Sequence, residues 1–162
     1  MKTRTVTISK NNIFFDVDAA THIFSKANDG KDLRRFDALE SDTTDSFNLL
    51  VITRFADRRA AELRDRLSRF LSAPETEVTS ATASINTSAT GYQYSFSVES
   101  AFQDELMASI AQDIESYIAN GVIGDWYATS GDAMANSYLQ TLPVISSRIL
   151  DNFVKRKFPT RS

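Results

Sequence analysis

The chain has 162 residues, 42% of them hydrophobic and 24% charged, with a formal net charge of −3; that length and balance suit one globular domain that buries its own core. It has no cysteine and one histidine, His22, which excludes disulfides, cysteine nucleophiles, iron–sulfur clusters, thiolate zinc and a multi-histidine metal site within one chain. No apolar run approaches the ~18 residues of a membrane span, and the opening Met1-Lys-Thr-Arg-Thr-Val-Thr-Ile lacks the apolar core of a signal peptide, so a soluble protein, intracellular or particle-bound, is expected.

Residues 3–9 alternate polar and apolar, with β-branched Val6 and Ile8, and predict a short strand. Asn11 or Asn12 can then cap a helix, in which Ile13, Val17, Ala20, Phe24 and Ala27 share one face. Residues 31–42 are charged and irregular and read as a loop. The second helix has caps available at 41–45 and a stripe of Leu49, Ile52, Ala56, Ala60, Leu63, Leu67 and Phe70. Its other face carries Arg54, Arg58, Arg59, Arg64, Arg66 and Arg69. Arg58–Glu62, Glu62–Arg66 and Asp65–Arg69 are spaced as i,i+4 ion pairs, and Pro74 stops the helix.

Beyond Pro74 the period changes to two. Tyr92, Tyr94, Phe96 and Val98 share one strand face, residues 78–85 are a more polar partner, and 86–91 supply the turn. Such a hairpin can join the N-terminal strand in a three-stranded sheet. Ser100-Ala-Phe-Gln fits a capping box, followed by Phe102, Leu106, Ile110, Ile114 and Ile118 at spacings of four, with Gly121 and Gly124 expected to loosen the helix end. The last helix starts at Ser130 or Asp132, presents Tyr138, Leu142, Ile145, Ile149 and Phe153, and should bend or break at Pro143. The fold class is therefore mainly α with a small β-element (α+β): a helical bundle with a β-hairpin between long helices, over one domain, 1–162.

Charge is segregated along this order. Residues 70–147 hold no Lys, Arg or His but nine acids, while the other 84 residues carry all 18 bases and 12 acids. The two parts can neutralise each other within one chain, or the acidic part can meet a neighbouring subunit's basic part. Asp16, Asp18, His22, Asp29 and Asp32 form a sparse metal-like cluster that reads as solvated surface. Asp104 and Glu105 lie near a helix start, where the dipole favours acids. The glycines make no phosphate loop or dinucleotide fingerprint, so no cofactor, metal or catalytic residue is expected. Trp126-Tyr127 suits either a core or an interface. The ending, Lys155-Arg-Lys-Phe-Pro-Thr-Arg, can complement a helix dipole or touch phosphate.

The helix–hairpin–helix centre resembles the head–tail connector and adaptor proteins of tailed bacteriophages. Met1-Lys-Thr-Arg-Thr-Val-Thr-Ile with Asn11-Asn-Ile-Phe, residues 118–127 ending in Trp126-Tyr127, and the basic ending also resemble small structural proteins of Bacteroidetes phages and prophages. The resemblance implies a non-enzymatic virion protein, assembled in the host cytoplasm, that forms a homo-oligomeric ring in the neck between portal and tail. Its partners would be copies of itself and portal, tail or neck proteins, with non-specific contact to packaged DNA open and no membrane. Arg58, Arg59, Arg66, Glu99, Asp104 and Glu105 are then candidate subunit-interface residues. Lys155, Arg156, Lys157 and Arg161, in the basic tail 155–162, are candidates for a partner or DNA contact, and the hairpin is expected to project toward a neighbour. The alternative is an intracellular binding or regulatory helical module that uses the Arg-rich helix to hold a partner.

Overall fold

A computed structural model describes residues 1–27, 43–72, 85–88 and 90–155, with side chains described for 1–21, 49–72 and 90–155. In chain order the elements are β1 (Lys2–Ser9), α1 (Lys10–Ala27), α2 (Thr43–Leu67) with a 3₁₀ turn Ser68–Phe70, β2 (Ile85–Ser88), β3 (Gly91–Val98), α3 (Leu106–Ala128), α4 (Met134–Leu139) and α5 (Leu142–Val154). The fold is mainly helical with a small antiparallel sheet. The loop 31–42, the helix caps at 41–45, Phe24, Ala27, residues 78–84 and Arg156, Lys157 and Arg161 lie outside the described side chains.

The sheet has the order β1-β3-β2. Period two gives it a dry face and a wet face. Val6 and Ile8 stand opposite Tyr94 and Tyr92, and with Phe96 and Val98 they form the dry face, all 5% exposed or less. The ladder closes at Ser88↔Gly91, so Asn86, Thr87 and Ser88 belong to β2 and not to the turn. Ser, Thr and Asn suit a solvent-facing strand edge as well as a turn, which is why composition misplaces the boundary. Past β2 the same edge of β3 is taken up by the chain leaving α2: Leu71 bridges Phe96, and Ser72 N donates to Ser95 O at 2.9 Å.

The hairpin packs on its own chain, contrary to the expectation that it projects to a neighbour. Ala56 and Ala60 of α2 are fully buried and small enough for the sheet to come close. Tyr94 Oη donates to the Ala60 carbonyl at 3.0 Å, so its one polar atom is satisfied inside the core.

Helix α3 is the centre, with α1, α2, α4, α5 and β1 all packed on it. From Tyr117 to Tyr127 every residue but Asn120 is buried, and Asp125 alone among those buried carries a charge; a helix so nearly apolar all round belongs inside the bundle. Trp126 and Tyr127 are therefore core residues. Two expectations for this helix fail. It starts at Leu106, since 100–105 form turns in which Phe102 N donates to Glu99 O and Leu106 N to Gln103 O. Nor do the glycines loosen it. A Cβ on Gly121 would lie 2.7 Å from the Arg59 stem, and one on Gly124 would lie 2.7 Å from Leu139. These glycines are sites of close approach, with tertiary packing offsetting their low helix propensity.

Three smaller corrections concern the other helices. Helix α1 begins at Lys10, directly after β1, with Lys10 N bonded to Thr90 O, so Asn11 and Asn12 lie within the helix and not at its cap. Leu49 is 41% exposed, one turn before Ile52, the first buried residue among the described side chains of α2. Phe70 has left the helix, and the 3₁₀ turn lets it stack on Phe153 at 4.7 Å. The break before Pro143 is present: α4 ends at Leu139 and Pro143 sits in the first turn of α5, where its missing N–H is an orphan in any case.

Candidate functional site

Among the described residues, the acidic segment is met by bases of the same chain at three points. In the first, Arg59 Nε and Nη2 donate to Asp125 at 2.9 and 2.6 Å, and Arg58 Nη2 lies 2.7 Å from the same carboxylate. The Asp125 side chain is only 8% exposed and that of Arg59 14%, a depth at which a carboxylate requires a partner. Gly121, one turn before Asp125, leaves the space through which the Arg59 stem passes. Arg59 also donates to Glu62 at 2.7 Å. Burial alone would raise the Glu62 carboxyl, but hydrogen bonds from Arg59 and Arg66 work against it and the group is held low.

The second point is Asp104, which accepts from Lys2 Nζ at 2.8 Å and Arg4 Nε at 2.9 Å. Lys2 and Arg4 share the strand parity of Val6 and Ile8, so they reach over the end of the dry face. Their hydrogen bonds, Arg4 first, hold the Asp104 carboxyl well below the usual carboxylate range. The third is Asp113, buried on α3, which accepts from Arg148 Nε of α5 at 2.9 Å.

These pairs place the candidate interface residues. Arg58, Arg59 and Asp104 are engaged within the chain, and Arg66 bonds Glu62 at 3.2 Å across one turn. Glu99 and Glu105 are exposed near the open end of β3 and the start of α3. Of the expected ladder on α2, Glu62–Arg66 forms. Arg58 instead turns to Asp125, and Asp65 is met by Arg64 at 2.7 Å. Of the basic tail only Lys155 is described, with Nζ donating to Asn152 Oδ1 at 2.7 Å. Among the described residues no three His, Cys, Asp or Glu side chains converge as a metal site, and no helix is long and apolar enough to cross a membrane.

Sequence reasoning missed Lys10. It is 7% exposed, with Nζ 3.3 Å from Asp57 and 5.1 Å from the centre of the Tyr92 ring. Tyr92 Oη donates to the same Asp57 at 2.6 Å, and burial, then Asp57, push its phenol far above the ordinary range. The three residues tie the β1–α1 corner to α2 and β3. Only Lys10, directly after an alternating strand, carried a signal.

Two further surfaces stand out among the described residues. On the wet face of the sheet Thr3, Thr5 and Thr7 stand opposite Ser97, Ser95 and Gln93, with the Thr5 and Ser95 hydroxyls 3.3 Å apart. These six positions carry no charge. At the Lys2 end of the sheet a cavity of about 200 Å³ opens over Phe70, Phe102 and Phe153. Phe153 is the hub of its floor, 4.7 Å from both Phe70 and Phe96 and 6.2 Å from Phe102, centre to centre. Met1 and Val154 stand at its mouth, 94% and 58% exposed. Arg69, stacked on Phe70 at 4.6 Å, and Lys155 add positive charge, and Glu99 is the acid on the rim.

Compared with known proteins, the chain matches no family model, no curated protein and no solved structure.

Proposed function

We propose that the chain is a non-enzymatic structural subunit of a tailed-phage particle, one of many copies forming the ring that joins portal to tail. The observation that carries this reading is the hairpin between the two longest helices, α2 and α3, the arrangement that the connector resemblance implies. One face of its sheet is buried on the helices and the other turns six uncharged residues outward. In a chain that is 24% charged, a neutral flat face lets a neighbour approach without like-charge repulsion. The intrachain ion pairs brace the helices within one subunit. Contacts between subunits then draw on shape and on charges that face outward, such as Glu105.

The rival reading, a regulatory module that grips a partner with the Arg-rich helix, has less to stand on. Arg58 and Arg59 are tied to Asp125, Arg66 to Glu62, and the Arg64 side chain is 15% exposed and bonded to Asp65. An antibody against the purified chain tests the proposal on tailed particles from the host that encodes it. Label at the head–tail junction in electron micrographs is expected. Particles free of label, with the chain recovered only from the particle-free fraction, would refute it.

A further inference from the structure

The aromatic cavity has a counterpart on the same molecule. Phe15 of α1 is 68% exposed, a large apolar knob whose helix neighbours Asn11, Asn12 and Asp16 are exposed and polar. Single exposed apolar side chains are ordinary, but this one lies outside a hole of its own size, on the turn of α1 that meets Glu115 of α3, whereas the hole is lined by Phe102, before α3 starts. The cavity lies at the Lys2 end of β1, whereas α1 starts from the Ser9 end; an eight-residue strand is roughly 23 Å long. An apolar cavity of roughly 150 Å³ already takes up benzene, so about 200 Å³ accommodates a phenyl ring.

Charge agrees with shape. Beside the knob, the Asp16 carboxyl is raised by burial and then by Glu115, so two acids crowd there. Beside the hole stand two bases, Arg69 and Lys155, against one acid, Glu99. A patch on one copy that fits a pocket elsewhere on the next makes a heterologous, head-to-tail contact, which closes into a ring when the rotation permits.

We propose that Phe15 of one copy inserts into the Phe70–Phe102–Phe153 cavity of the next, with Asp16 meeting Arg69 and Lys155. This rests on the ring reading above and names its contact. Two variants at exposed positions separate knob from hole: Phe15→Glu, and Val154→Glu with Lys155→Glu. Sedimentation of the full chain should give a multi-subunit species for the parent and a monomer for each variant, with helical circular dichroism unchanged. Each variant keeps one working face, so a 1:1 mixture should form a dimer and stop. If the parent assembles and the Phe15→Glu chain assembles equally, the contact is wrong while the ring reading stands. Monomeric variants that stay monomeric when mixed also overturn the contact. A parent that is monomeric at every concentration removes both.

Discussion

Asp125 shows how one side chain links local sequence to the whole core. It sits on the most buried helix, one turn after a glycine that opens room for Arg59. Removing the carboxylate leaves a mostly buried guanidinium without its main partner, a change that costs about 3 kcal/mol. Arg58 touches the same carboxylate but is 60% exposed, and exposed pairs contribute about 0–1 kcal/mol. Urea unfolding should therefore show a large loss for Asp125→Ala and a small one for Arg58→Ala. Asp104 adds a pH signature. Because Arg4 and Lys2 hold its carboxyl below the ordinary value, its contribution is fully present above about pH 4 and is lost as pH falls further. The Asp104→Asn chain should be less stable than the parent at neutral pH, by a margin that shrinks in acid. A margin constant from pH 7 into the acid range would contradict the pairing. None of these partners was legible in sequence, since Asp104 and Asp125 meet bases 66 or more residues away; only the segregation of charge was visible, and it left open where the bases would come from.

Elements were legible where a period ran long enough to outweigh single residues. The faces of α2, α3, β3 and α5 follow from spacings of three to four or of two, and Pro143 marks the α4–α5 break. Misreadings fall where a local preference competes with packing. Gly121 and Gly124 suggest a frayed end but serve close helix contacts, and Ser100 suggests a cap where the chain makes turns instead. The hairpin is the most consequential of these. Its polar first strand suggests a detachable arm, yet Tyr92, Tyr94 and Phe96 of β3 are fully buried. Loss of one buried large side chain costs about 3–5 kcal/mol, and a small domain is stable by only about 5–15 kcal/mol. Replacing residues 78–97 with a short Gly-Ser loop should therefore abolish the helical circular dichroism. A folded helical monomer from that variant would show that the helices stand without the sheet.

At the scale of the whole molecule, the charges that looked available for a neighbour largely close on the chain itself. Among the described residues, the outward features include a neutral sheet surface, an aromatic cavity with two bases and one acid at its rim, and Phe15 beside two acids. Knob and hole on different surfaces favour cyclic over two-fold assembly, because a two-fold contact needs both within one interface, where each engages the other copy's counterpart at once. Contacts of this apolar kind should persist in salt that screens exposed charges, whereas assembly through Arg–acid faces would weaken. A ring of identical copies, as proposed above, has a native mass fixed by its number of subunits. That mass can be measured on the purified chain across a wide concentration range and at low and high salt. One discrete multi-subunit mass, retained at high salt, is expected. A monomer at every concentration, or a ladder of ever longer open oligomers, would exclude the ring.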